Sequence, residues 1–179
     1  MGERPIIFST EMVKAVLDDR KTMTRRMIKP QPSSYIFDVG HLAWKNHVLP
    51  PEMLIQFCPY GQVGDKLWVR ETWRPYSEKE VRIEYKAGGV IIDYPEQPDF
   101  MFYACGEKWH SPLFMSRWAS RINRIIRELR AERLLDITLA DAIREGFNSI
   151  EEFLDYWDIL NKKSGYGREV NPWNWVIGW

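Results

Sequence analysis

Strand patterns without intervening helices dominate the middle of this chain, and they constrain its fold more than any other feature. The segment "KLWVRETW" follows a Gly-containing turn and predicts a strand. "VRIEYKAGGVIIDY" predicts a hairpin turning at Gly88 and Gly89, and "DFMFYA" predicts another short strand. A doubly wound sheet requires strands and helices to alternate, so this region excludes that class.

Helical patterns are confined to the two flanks of this region. On the N-terminal side, "PIIFST" predicts a strand over residues 5–9, and "STEMVKAVLDDR" predicts a helix that Ser9 or Thr10 can cap. "KTMTRRMI" then alternates weakly as a strand does, and it ends before "KPQP".

On the C-terminal side, "DITLADAIREGF" predicts a capped helix that Gly146 terminates. "SIEEFLDYWDILNKK" predicts an amphipathic helix with a capping box formed by Ser149 and Glu152. "NPWNWVIGW" predicts a final strand. The preceding "RINRIIRELRAERL" is ambiguous, because its apolar positions fit a helix better than a strand.

These elements together predict an α+β fold. Mixed, mostly antiparallel strands would form a small β-barrel with the helices packed outside it. A length of 179 residues suits a single domain, which we assign to 1–179. Two departures from regular structure are expected within it. They are an irregular insertion at about 29–62, rich in Pro, Gly and Ser, and a hairpin and loop excursion at about 76–117.

Composition excludes several functional classes. Lys plus Arg and Asp plus Glu both number 25, so zero net charge argues against a bulk polyelectrolyte binder but leaves room for a local basic patch. The His and Cys residues lack metal-ligand spacing, and no apolar run approaches a membrane span. No signal peptide is evident at "MGERPIIF", so a cytoplasmic protein without membrane partners is expected.

The segment "DDRKTMTRR" concentrates reactive side chains, with four cations, two anions and two threonines in nine residues. A Thr hydroxyl becomes a nucleophile when a base removes its proton, and a buried Lys of lowered pKa can be that base. Lys21 and Thr24 could act together if Lys21 lies in a turn and Thr24 just inside the following strand. The alternative is a helix that ends in solvated charges, followed by an edge strand.

The same segment resembles the G-R-K-T-x-T-x-R signature of ASCH domains, which have a PUA-like β-barrel fold. "GDKLWVRETW", "SRWASRI", "ERLLDITLADAIREGF" and "NPWNWVIGW" follow in the family's order, so the resemblance spans nearly the whole chain. Larger members, common in phage and prophage genomes, also carry a long middle excursion. Asp19 stands where the family often has Gly. The resemblance implies that "RINRIIRELRAERL" is a long bent strand, with a bulge explaining its broken alternation.

The resemblance implies two classes of function. Some small bacterial members are amidohydrolases that cleave N4-acetylcytidine to cytidine and acetate with a Lys, a Thr and a Glu, and with no metal or cofactor. These residues correspond to Lys21, Thr24 and Glu145. If so, the Glu145 carboxylate should lie within hydrogen-bond or one-water reach of the Lys21 amine or the Thr24 hydroxyl. Arg26, or backbone N–H groups near Thr24, would then stabilise the oxyanion.

ASCH domains have also been regarded as RNA-binding modules, and this is the alternative function. Lys21, Arg25 and Arg26 would then contact phosphates, and tryptophans would stack on unpaired bases. In the enzyme, tryptophans would wall the cytosine pocket. The candidates for either role are Trp68, Trp73, Trp109 and Trp118. The expected partner is a nucleoside, or RNA in the alternative, and the expected state is a monomer or a small homo-oligomer.

Overall fold

The computed structural model describes residues 1–34, 40–77, 81–92 and 108–179. The strands of this part are β1 (Glu3–Ile7), β2 (Met23–Met27), β3 (Ser33–Ser34), β4 (Leu42–Trp44), β5 (His47–Leu49), β6 (Lys66–Arg70), β7 (Trp73–Ser77), β8 (Val81–Tyr85), β9 (Val90–Ile92), β10 (Asn123–Ile125), β11 (Glu128–Arg133) and β12 (Trp173–Gly178). Its α-helices are α1 (Thr10–Leu17), α2 (Leu139–Arg144) and α3 (Ile150–Asn161). The longest of its 3-10 helices is Pro51–Phe57.

The described strands form four three-stranded sheets, which confirms a mixed α+β fold with many strands and few helices. The sheets are β1-β6-β10, β11-β12-β2, β3-β4-β5 and β7-β8-β9. Strands β1 and β6 pair in parallel, and the other ladders among the described strands are antiparallel. These ladders do not close into a barrel within the described residues, so the PUA-like barrel stays a prediction.

Strand β12 is the central strand of the sheet that contains Thr24 and Arg25. It lies between β11 and β2, and all six of its residues are buried. Its register places Ile177 opposite Thr24 and Val176 opposite Arg25. A strand covered on both faces is held firmly in register, because any slip would misplace every buried side chain. Strand β2 is therefore fixed against a rigid neighbour.

Helices α2 and α3 pack on this sheet through an apolar cluster of their own. The cluster consists of Leu134, Ile137, Ala142, Phe147, Phe153, Leu154 and Trp157. Side-chain caps define where the helices begin. Thr138 accepts a hydrogen bond from the backbone N–H of Asp141, and Ser149 accepts one from that of Glu152. Only this half of the predicted capping box is confirmed. The other half would have the Glu152 carboxylate accept from the Ser149 N–H, but it accepts from the Asn148 N–H instead.

The ambiguous segment "RINRIIRELRAERL" is extended, as the resemblance implies, and the helical periodicity is misleading. It forms β10 and β11, which belong to two different sheets and are separated by Ile126 and Arg127. The Ile126 N–H donates to the Asp65 carbonyl, and the Arg127 N–H donates to the Gly178 carbonyl. Side-chain alternation restarts where the chain passes from one sheet to the other. This restart gives the apolar residues a spacing that resembles a helix.

Two further predictions about local structure require correction. The insertion at about 29–62 is more regular than its composition indicates, because it contains β3, β4, β5 and Pro51–Phe57. Strands of two or three residues are too short to show alternation in the sequence. The predicted strand "KLWVRETW" is also interrupted, with β6 ending at Arg70 and β7 beginning at Trp73.

The excursion at about 76–117 is only partly described. The predicted hairpin is confirmed, because β8 and β9 pair with Ile83 opposite Ile91. The strand expected at "DFMFYA" lies outside the described residues. No helix in the described part of the chain is long and apolar enough to cross a membrane.

Gly146 should contribute to stability through its backbone conformation. It follows α2 with a φ of 95°, in the left-handed region, and a Cβ there would meet the Ala15 and Lys21 Cβ atoms at an ordinary 3.5 Å. Gly146→Ala should therefore lower the free energy of unfolding by about 1–2 kcal/mol, the cost of this conformation for an L-residue. Chemical denaturation measures the loss.

Gly165→Ala is the matched control for this measurement. Gly165 has a φ of 81°, and a Cβ there would meet nothing within 4 Å. If backbone conformation alone sets the cost, both variants should lose similar stability. An unchanged free energy of unfolding in Gly146→Ala would contradict this account.

Candidate functional site

The centre of the candidate site is a buried ion pair between Lys21 and Glu145. The Lys21 Nζ atom donates to Glu145 Oε2 at 2.6 Å and to the Glu145 carbonyl at 2.9 Å. The two residues are only 2% and 3% exposed, although 124 positions separate them in the sequence. The expected proximity of Glu145 to the Lys21 amine is confirmed.

The turn after α1 places Lys21 at this position. The N–H groups of Arg20 and Lys21 both donate to the Ala15 carbonyl at 2.9 Å. Asp19 adopts a φ of 55°, in the left-handed region that Asp tolerates better than most side chains. Asp at this position, where ASCH domains often have Gly, is therefore compatible with the turn. Lys21 lies in the turn and Thr24 is the second residue of β2, which is the arrangement that a cooperating pair requires.

The C-terminal end of helix α2 places Glu145 beside Lys21. Glu145 caps the C-terminal end of this helix, and its N–H donates to the Asp141 carbonyl at 2.8 Å. The Thr22 N–H donates to the Arg144 carbonyl at 2.8 Å, which ties the segment before β2 directly to the end of the helix. A cation at a helix C-terminus is favourable, because the last carbonyls carry partial negative charge. The Lys21 amine satisfies one of these carbonyls.

A second buried cation, Arg25, lies among three carboxylates. Its side chain is fully buried, and Nη2 is 2.8 Å from Asp141 Oδ2 and 3.3 Å from Glu132 Oε2. Its Nη1 atom lies 3.6 Å from Glu145 Oε1. The sequence-based alternative assigned Lys21 and Arg25 to RNA phosphates. The structure contradicts that assignment, because both cations are buried against carboxylates.

Burial and neighbouring charges act in opposite directions on Lys21. Burial lowers the pKa of its amine below the ordinary range, and the nearby Glu145 carboxylate partly offsets this effect. Arg26 and Arg25 lower the pKa of Lys21 a little further. Burial acts to raise the pKa of Asp141, but the hydrogen bond and charge of Arg25, together with the charge of Arg130 and a hydrogen bond at Thr138, outweigh it and leave that pKa below its usual value. The neutral form of Lys21 is thus more accessible than that of an exposed lysine.

These residues open into a cavity of about 240 Å³. Its polar lining includes Lys21, Thr24, Arg25, Arg26 and Glu145. Its aromatic lining is formed by Phe8, Phe147, Phe153, Tyr156 and Trp157. A concave, mostly apolar pocket with a few convergent polar groups is typical of a small-molecule site.

Two polar groups of the cavity lack internal hydrogen bonds. Glu145 Oε1 is buried without a hydrogen bond to the described residues. The Thr24 hydroxyl also makes no hydrogen bond within the part of the chain that the structure describes. Buried polar groups without a partner are rare and mark places where a ligand or water is bound. Both groups remain available to a substrate.

Arg26 lies at the edge of the same cavity, as expected. One of its nitrogens, Nη2, donates to the Ile7 carbonyl at 2.5 Å, and its guanidinium lies 5.1 Å from the centroid of the Phe8 ring. These contacts hold the side chain at the mouth, where it is half-buried. Its remaining N–H groups can donate to an oxygen of a bound ligand.

The four tryptophans proposed for the pocket lie elsewhere. Trp68 is on β6 beneath the guanidinium of Arg70, at 4.8 Å. Trp73 and Trp118 pack edge to face at 5.8 Å in a separate core cluster, and Trp109 is 41% exposed. None of them lines the cavity, so the prediction that they wall this pocket is wrong.

The periodicity of α3 shows which of its aromatic residues share a face, but not that this face borders a cavity. Phe153, Tyr156 and Trp157 follow an i, i+3, i+4 spacing, so they share one face of the helix. That spacing is typical of an ordinary core-facing stripe and gives no sign that the face borders a cavity. Only the packing of α3 beside β2, where the Arg25 guanidinium lies 5.9 Å from the centroid of the Phe153 ring, reveals it.

Arg25→Met tests whether the carboxylate cluster depends on its cation. Removing one partner of a buried ion pair leaves uncompensated charge, so the free energy of unfolding at pH 7 should fall by about 3–5 kcal/mol. Arg25 helps to hold the pKa of Asp141 down. Part of the stability difference should therefore disappear as the pH falls below about 3.9 and Asp141 becomes protonated.

Arg20→Met is the control, because Arg20 pairs with Asp18 on an exposed surface in the same segment. It should change stability little. Equal, small losses in the two variants would show that the buried cluster does not need Arg25.

Comparisons of this chain with models of protein families, with curated proteins and with solved structures gave no match. Function must therefore be argued from the site itself. The cavity combines a buried amine of lowered pKa, a carboxylate bound to it, and a Thr hydroxyl without an internal partner.

Proposed function

We propose that this chain is an ASCH-type amidohydrolase that cleaves the N4-acyl amide of N4-acetylcytidine-type nucleosides to cytidine and a carboxylic acid. One observation carries the proposal. The Lys21 amine and Glu145 carboxylate are joined at 2.6 Å in a cavity that Thr24 also lines. A base, its charged partner and a hydroxyl nucleophile form the minimum arrangement for acyl transfer without a metal.

In the first step, the neutral Lys21 amine accepts the proton of the Thr24 hydroxyl. The Thr24 oxygen attacks the acyl carbonyl carbon, a C–O bond forms, and the carbonyl electrons move to the oxygen. Glu145 holds the amine in position and stabilises the ammonium that results. Arg26 is the candidate donor to the oxyanion, because it lines the cavity and has N–H groups not used by Ile7.

In the second step, the tetrahedral intermediate collapses and the C–N bond breaks. The N4 nitrogen leaves with a proton from the Lys21 ammonium, either directly or through Glu145, and the acyl group stays on Thr24 as an ester. Lys21 then removes a proton from water, whose oxygen attacks the ester. Thr24 recovers its proton, and a carboxylic acid is released.

The remainder of the cavity suits a flat, uncharged base. Phe8 and Phe153 offer aromatic surface beside the polar groups, and aromatic rings stack favourably on nucleobases. The lining residues leave about 240 Å³, below the usual range of roughly 300–1,000 Å³ for ligand pockets. That size is suited to a base and a small acyl group.

We also propose that the sheets of this chain form the PUA-like barrel of ASCH domains. The segment that contains β10 and β11 passes from the β1-β6-β10 sheet to the β11-β12-β2 sheet, and these are the two sheets that such a barrel would combine. A binding module without catalysis is less favoured, because the burial of Lys21 and Arg25 leaves them unsuited to contact a phosphate backbone.

Lys21→Ala and Thr24→Ala should each reduce the hydrolysis of N4-acetylcytidine by at least about a hundredfold, because each removes a positioned base or nucleophile. Loss of the absorbance of the acylated base measures the rate. Thr22→Ala and Lys14→Ala are the matched controls. Both residues lie outside the cavity lining, and both variants should keep wild-type rates.

Circular dichroism must show that all four variants are folded. A folded Thr24→Ala or Lys21→Ala protein with near-wild-type turnover would remove that residue from the mechanism. If the wild-type protein does not hydrolyse N4-acylcytidines, the proposed function itself is wrong.

The pH dependence of kcat/KM should report the ionisation of Lys21. The rate should rise with pH as Lys21 loses its proton, at a pH below the ordinary lysine pKa of about 10.4. Glu145 raises the pKa of Lys21, so Glu145→Gln should lower it. The rising limb of the profile should then move to lower pH, even though the maximal rate falls. A limb that stays in place or moves to higher pH would contradict the pairing.

A further inference from the structure

A second pocket adjoins the candidate active site. It has a volume of about 420 Å³ and shares Arg26 and Met27 with the first cavity. Its other lining residues are Lys29, Trp44, Lys45, Phe57, Pro59, Tyr60 and Trp175. A substrate bound in the first cavity can therefore extend past Arg26 into this second space.

The second pocket is strongly cationic. Arg26, Lys29 and Lys45 line it, and none of its lining residues among those that the structure describes is acidic. Neither lysine lies within ion-pair distance of an acidic side chain in the part of the chain that the structure describes. This contrasts with Lys66, which pairs with Glu3 at 2.9 Å, and with the buried Lys21. Three cations around one pocket, none of them paired with an acidic side chain among the described residues, create a positive potential that attracts an anion.

Lys45 is held in the pocket at a conformational cost. It has a φ of 52°, in the left-handed region that favours Gly, within the turn between β4 and β5. Its amine lies 4.3 Å from the centroid of the Trp44 ring, and Trp44 is itself buried. The ring provides a fixed platform for the amine. A Gly or Asn would form the turn more easily, so the turn alone does not explain a Lys at this position.

We propose that this pocket binds the 5′-phosphate of the substrate, so that the preferred substrate is an N4-acylcytidine 5′-monophosphate. The inference rests on the proposed function and deepens it. The first cavity accommodates the base and acyl group, and the ribose crosses the shared wall at Arg26 and Met27. The phosphate then lies between Lys29 and Lys45.

The arrangement of charge favours a phosphomonoester over an RNA strand. The cations surround one bounded pocket, whereas a strand that makes several phosphate contacts needs a basic groove that tracks its backbone. The whole chain also has no net charge, which argues against extended polyanion binding. A phosphomonoester carries about 1.5 to 2 negative charges at pH 7 and gains more from clustered cations than a singly charged diester.

Binding of cytidine 5′-monophosphate and of cytidine, measured by calorimetry, tests the proposal without requiring turnover. The monophosphate should bind at least about tenfold more tightly than cytidine, because charge-assisted hydrogen bonds to phosphate are strong. In the double variant Lys29→Gln, Lys45→Gln this preference should disappear. Lys86→Gln removes an exposed lysine outside the pocket and should retain it. Equal affinity for the two ligands in the wild-type protein would overturn the proposal.

Two further measurements separate this proposal from others. If N4-acetylcytidine and its 5′-monophosphate are hydrolysed with equal kcat/KM, the proposal of a phosphate-binding pocket is wrong, although the proposed amidohydrolase function is supported. If neither compound is hydrolysed but the preference for the monophosphate depends on Lys29 and Lys45, the phosphate-binding pocket is supported and the proposed amidohydrolase function is wrong. If a cytidine hexanucleotide binds far more tightly than the monophosphate, RNA replaces the monophosphate as the preferred ligand and the proposal is overturned. Its affinity would fall with salt at a log–log slope of about −0.7 per phosphate contact.

Discussion

The hydrogen-bonded ion pair of Lys21 and Glu145 is the interaction on which the candidate site depends. It joins the turn after α1 to the end of α2, and the backbone bond from Thr22 to Arg144 fixes the same junction. Taking both charges out of water is costly, and their attraction repays that cost only with good geometry and further hydrogen bonds. The second bond from Lys21, to the Glu145 carbonyl, is one of these. The pair thus holds the turn after α1 against the end of α2, and Thr24 lines the same cavity.

Arg25 connects the same site to the rest of the sheet. It binds Asp141 on α2 and Glu132 on β11, while its own strand is held by the buried β12. The two buried cations, Lys21 in the turn and Arg25 on β2, lie in different surroundings. Lys21 has a lowered pKa and faces the cavity, whereas Arg25 neutralises the carboxylates around it. A guanidinium stays charged at any physiological pH, so it suits the structural role, while an amine can lose its proton and suits catalysis.

Much of the fold could be predicted from local patterns, but its long-range pairings could not. Ser9 and Ser149 cap helices where the sequence predicts them, and the Gly88–Gly89 hairpin forms. Periodicity failed at Ile126, where one extended segment changes sheets, and composition failed at Trp44, which is buried within a predicted irregular insertion. The Lys21–Glu145 contact followed from a resemblance, since no spacing rule connects residues so far apart. The cavity wall was assigned to the wrong aromatics, because sequence shows which side chains are apolar but not which of them border an open space.

The central claim is that Thr24 forms a covalent acyl intermediate with Lys21 as its base. The most direct measurement is acid quenching of the protein during turnover of N4-acetylcytidine, followed by mass mapping of its peptides. The account predicts an acetyl ester on Thr24 that forms as cytidine is released and disappears as the substrate is exhausted. Turnover with no acetyl ester at any time, or with the acetyl group on another side chain, would contradict it.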